Sequence, residues 1–107
     1  MTKKPEAYDL MPAALAATIP PLYATEKEKD PLARVKYFTP DSSWTWYVTE
    51  YDPVERRCFG LVIGQDTELG YFSLEEMEQA RGPLGLPIER DLYWKPTPLS
   101  QLQGDDP

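Results

Sequence analysis

SSWTWYVTEY, residues 42–51, is the stretch on which the fold of this chain turns. Four of its ten residues are aromatic (Trp44, Trp46, Tyr47 and Tyr51), and threonine and valine fill the spaces between them. Such residues suit a pleated, half-buried surface. Along a strand, successive side chains point to opposite faces of the sheet. Regular alternation therefore puts Trp44, Trp46, Val48 and Glu50 on one side, and Thr45, Tyr47, Thr49 and Tyr51 on the other. The first row reads as core. The tyrosine row reads as a half-exposed face, closed by the C-terminal arm or by a partner.

Working outward, RVKYFT (34–39), RCFGLVIG (57–64) and TELGYF (67–72) have the same β-branched and aromatic character. The breaks carry turn chemistry: Pro40 followed by Asp41, Asp52 followed by Pro53, then Gly64 and Asp66. Four strands so joined predict an antiparallel meander. Ser73, with Glu76 three residues on, is a capping box that opens a helix over 73–81. Leu74, Met77 and Ala80 lie on its inner face, while Glu75, Glu76, Glu78 and Gln79 point away. Gly82 is placed to take the left-handed position after the last turn, and Pro83 prevents continuation. LMPAALAAT predicts a short N-terminal helix with Pro12 in its first turn. GPLGLPIERD reads as a loop and DLYWKP as a short final strand. The expected architecture is an α+β domain: a four-stranded antiparallel meander, one helix (73–81) packed on it, a short N-terminal helix and proline-rich arms. Residues 1–18 form a lead-in, 19–102 the domain, and 103–107 a frayed tail.

The 107 residues suffice for one modest core. Twelve prolines point to short elements with rigid connections. The formal net charge is −7, and between Arg57 and Arg81 there is no cation. Nucleic-acid binding draws on a basic surface that releases counterions, so no direct nucleic-acid contact is expected. A single cysteine, Cys58, allows no internal disulfide and suits a reducing compartment. The apolar run near the N-terminus is short and interrupted by Pro12, unlike a signal peptide. No stretch approaches the roughly 18 apolar residues of a membrane span. A cytoplasmic protein is expected.

IPPLYATE, KYFTPDSSWTWYVTEYDP, FGLVIGQDTELGYFSLEEME and GPLGLPIERDLYWKPTPLSQL resemble a family of small bacterial proteins of unassigned function. Its members are commonly encoded on plasmids and integrative conjugative elements, often near antirestriction-type or DNA-handling genes. The resemblance runs collinearly from Ile19 to Leu102 and implies no catalytic residues.

Catalytic signals are sparse. The chain has no histidine, the commonest general base and a usual metal ligand. Cys58 follows Arg56 and Arg57 but lacks a base, and reads as a core thiol. Glu50 and Asp52 could serve as an acid–base pair of a small hydrolase. The simpler reading pairs Glu50 with Lys36 or Arg57, or leaves it at the sheet rim. GLVIG lacks the features of a phosphate loop; a tryptophan lying over Gly60 accounts for that glycine. No metal and no cofactor are expected. The leading expectation is a non-enzymatic interaction protein whose partner is another protein, a basic one by charge. Its contact residues are Glu75, Glu78, Tyr47, Tyr51, Asp66 and Glu68. An acidic, nucleic-acid-mimicking inhibitor of a host defence protein is the alternative.

Overall fold

The computed structural model describes residues 5–102. β1 (Leu32–Ala33) and β2 (Val35–Phe38) are two parts of one extended run interrupted at Arg34. β3 (Thr45–Asp52), β4 (Arg57–Ile63) and β5 (Thr67–Ser73) follow as a meander, then come β6 (Glu89–Arg90) and β7 (Thr97–Pro98). The main sheet is antiparallel and five-stranded, in the order β5-β4-β3-β2-β6, and β1 pairs with β7 separately.

The four expected strands are β2 to β5; the fifth is a correction. β6 lies inside the segment expected as a loop, where Arg90 pairs with Tyr37 and Glu89 with Phe38. Two residues carry no readable alternation, so only docking beside β2 makes them a strand. DLYWKP does not form the final strand either. Asp91 accepts the Tyr93 N–H on its carboxylate and the Trp94 N–H on its carbonyl, which turns the chain before β7.

Two helices were legible, with one change. α1 (Ala13–Ala16) starts after Pro12, and α2 (Leu74–Gln79) is capped by Ser73, whose hydroxyl accepts the Glu76 N–H at 3.2 Å. α2 stops earlier than 81 because Ala80 is already extended. Gly82 is not left-handed; that conformation belongs to Gly85, at φ +83°. Gly82 is required for another reason: a Cβ there would collide with the Asp41 carboxylate. Asp41 Oδ2 accepts the Leu84 N–H at 2.8 Å, so the 82–86 loop is wrapped around a carboxylate from the β2–β3 turn.

The largest departure from regular alternation sits in β3. Val48 pairs with Gly60, but Glu50, not Thr49, pairs with Phe59. Thr49 is the extra residue of a β-bulge, and its hydroxyl donates to the Phe59 carbonyl at 3.1 Å. A bulge shifts every later side chain to the other face. Tyr51 therefore joins Trp46 and Val48 on the first face, and Glu50 joins Tyr47 on the second.

Each face then has its own core. On the first, Val35, Tyr37, Val48, Tyr51 and Cys58 meet Leu74 and Met77 of α2 together with Leu10 and Ile19. The Tyr37 hydroxyl donates to the Leu10 carbonyl, so the segment read as a lead-in reaches this core. On the second face, Tyr47 and Leu61 are covered by Leu99, Trp94 and Leu102. The tail placed at 103–107 lies outside the described residues. Among the described residues no helix is long and apolar enough to cross a membrane.

Candidate functional site

Glu50 illustrates how a sequence candidate changes meaning in three dimensions. It is only 3% exposed and pairs with neither Lys36 nor Arg57. Its Oε1 accepts the Tyr23 N–H at 2.8 Å, and its Oε2 accepts the Thr25 N–H at 2.8 Å and the Thr25 hydroxyl. A buried carboxylate needs such donors. Glu50 thus clamps the 23–25 turn, in which Tyr23 takes φ 73°, onto the second face of the sheet. Asp52 is likewise engaged, accepting the Val54 N–H of the following turn at 3.0 Å.

Tyr47 and Tyr51 do not form one half-exposed face. Tyr47 is buried against Trp94, with ring centroids 5.3 Å apart, and Tyr51 is buried in the opposite core. The bulge is the reason they part company. Glu78 is also occupied: both of its oxygens meet the Arg56 guanidinium, at 2.9 and 2.6 Å. That pair holds the β3–β4 turn to α2, and the Leu74 N–H adds a bond to the Arg56 carbonyl. Glu75, Asp66 and Glu68 are exposed. Cys58 is fully buried, and burial pushes its thiol up to about 12, partly offset by Arg56. Among the described residues no group of three or more Cys, Asp or Glu side chains comes together as a metal site would need.

What alternation missed is a groove on the first face. Trp44 was expected in the core, yet it is 41% exposed and stacked on Trp46 at 5.9 Å, with 26° between the rings. Its seat is Gly64, not Gly60. A Cβ on Gly64 would collide with the Trp44 ring, whereas at Gly60 it would meet the Tyr47 carbonyl. Register explains this, because Thr45 pairs with Ile63 and places Trp44 next to Gly64. The readable signal was that glycine at the end of β4. The groove has a volume of about 440 Å³ between the tryptophans and α2; Phe72, Met77 and Ile88 continue its apolar lining.

Its rim is acidic. Glu76 lines the groove from α2. Glu68 lies in the same cross-strand row as Trp46, since Trp46 pairs with Val62 and Val62 with Glu68. Two strand spacings make that separation about 10 Å. Arg81 also lines the groove, but its guanidinium donates to the carbonyls of Glu78 and Ala80 at the end of α2. An exposed indole face attracts cations through the ring quadrupole.

A family model described as Protein of unknown function (DUF2958) matches residues 10–103, and the chain belongs to that family. No curated protein and no solved structure matches it.

Proposed function

We propose that this DUF2958 protein is a non-enzymatic interaction module that takes a basic segment of another protein into the tryptophan groove. The observation that carries the reading is Trp44: a large aromatic, 41% exposed, stacked on Trp46 in a largely apolar groove that Glu76 borders. Leaving such surface in water is costly at roughly 25 cal/mol per Å². Tryptophan in a concave, apolar setting is also typical of binding hot spots. The exposed indole face, Glu76 beside it and the net charge of −7 favour a lysine- or arginine-bearing partner. The engagement of both Glu50 oxygens favours binding over hydrolysis. The resemblance to proteins of plasmids and conjugative elements makes an accessory role in mobile-element biology the biological setting of this proposal. Mimicry of nucleic acid is less favoured, because Arg56 neutralises Glu78 on the face of α2 that such a mimic would use.

Tryptophan fluorescence provides the test. A short peptide carrying arginine and one apolar residue should shift or quench the emission, and an acidic peptide of the same length should not. Trp44→Ala should weaken binding by roughly tenfold or more, as loss of a hot spot of about 2 kcal/mol does. Affinity should fall as salt rises. Basic and acidic peptides binding alike, or binding that survives Trp44→Ala unchanged, would remove the groove from consideration.

A further inference from the structure

The two edges of the main sheet are built differently. β6 is two residues long, and beside it the Arg90 Nε–H donates to the Asp9 carbonyl at 2.9 Å, which ties the N-terminal turn over that end. β5 is seven residues long and, among the described residues, pairs on one side only. Proteins usually blunt an open edge with lysine, proline or a bulge. Residues 67–73 contain no proline, lysine or arginine, and the β4–β5 register runs without a shift through all seven pairs. Leu69 and Tyr71, on the second face, are 53% and 43% exposed. Gly70 lies between them with open space where a Cβ would stand. Among the described residues nothing covers this strand at its midpoint.

The geometry points to a second copy of this chain as the occupant, with β5 pairing antiparallel to β5 about a two-fold axis through Gly70. Gly70 is the midpoint of the strand, so this register alone uses all seven residues of both copies. It sets Leu69 opposite Tyr71, Thr67 opposite Ser73, and Glu68 opposite Phe72. Like charges directly opposite destabilise a sheet; here no carboxylate of the strand faces another. Moving the axis to Glu68 would oppose two glutamates and leave part of each strand unpaired. The contact is self-complementary, as a two-fold interface must be. It extends the sheet to ten strands and buries Leu69 and Tyr71 of both copies on the second face. The contact brings Glu68 of one copy beside Phe72 of the other, at the edge of the tryptophan groove, but the inference does not rest on the function proposed above.

Sedimentation or light scattering across a micromolar to millimolar range should find a monomer–dimer equilibrium. Dimerisation should strengthen with salt, because two copies of charge −7 repel; binding in the tryptophan groove should do the opposite. Leu69→Lys, at an exposed position, should weaken the dimer by roughly tenfold or more through like charges near the axis. Under oxidation, Gly70→Cys should form a covalent dimer across the axis, whereas Leu69→Cys should not, since residue 69 faces residue 71. A monomer under all conditions overturns the inference. So does a dimer indifferent to Leu69→Lys, cross-linking of Leu69→Cys as ready as that of Gly70→Cys, or a β5 edge that pairs only with an added foreign strand.

Discussion

At the residue scale, Glu50 is the informative case. A carboxylate inside a sheet is expensive unless donors surround it, and the donors come from Tyr23 and Thr25, more than twenty residues away in sequence. Its role is to hold the chain where it crosses from one face of the sheet to the other, next to the Tyr51 N–H bond to the Pro20 carbonyl. Glu50→Ala should cost about 3 kcal/mol, the price of leaving buried donors unpaired. Glu50→Gln should also destabilise, because its amide group presents hydrogens to an N–H. Urea unfolding of both variants is the measurement. A loss under about 1 kcal/mol for the alanine variant would mean that water replaces the carboxylate.

At the element scale, short pieces are stabilised by contacts made across the fold. α2 has six residues, too few to persist alone. It is held by the Ser73 cap, by Leu74 and Met77 in the core, and by the Arg56–Glu78 pair. The loop after it depends on Asp41 in the same way. Gly82→Ala should cost about 1–3 kcal/mol, because the added methyl overlaps the Asp41 carboxylate. Asp41→Gly should cost less, through the Leu84 N–H it leaves unpaired. In the double variant the overlap is gone, so the two effects should not add. A double-mutant cycle read by thermal unfolding decides this: strict additivity would show that the glycine and the aspartate are not coupled.

At the scale of the whole molecule, charge sets the terms of association. Asp66 and Glu68, at the beginning of β5, and Glu75 and Glu76, beyond its far end at the start of α2, are all exposed. A phosphate backbone approaching either pair meets repulsion, and single-strand binding needs a basic groove to track it. Neither single- nor double-stranded DNA should bind at physiological salt. A gel shift with sub-micromolar affinity would contradict this, and would require a cationic patch elsewhere on the surface. A charge-reversal experiment on the acidic side should use Glu68 and Glu75 and spare Glu76 and Glu78. Changing Glu76 would alter the lining of the tryptophan groove, and changing Glu78 would release Arg56 and loosen the turn it holds.

Strands β2 to β5, the turns between them and the capped start of α2 were all legible, because propensity, turn chemistry and capping depend on residues near one another in the chain. The Trp46 and Val48 side was correctly placed against α2 for the same reason. The acidic residues Asp66, Glu68 and Glu75 were legible as surface. Other features depend on which backbone lies alongside. Thr49 bulges only because β4 pairs past it, and that one residue sends Tyr51 into the first core and Glu50 to the second face. Glu78 meets Arg56 only because a left-handed turn brings residues 22 positions apart into contact. β6, β1 and β7 are two residues each, too short for any period to register. The groove itself was hidden because Trp44 is seated by Gly64 from a neighbouring strand, and burial belongs to the packed surface rather than to the residue type.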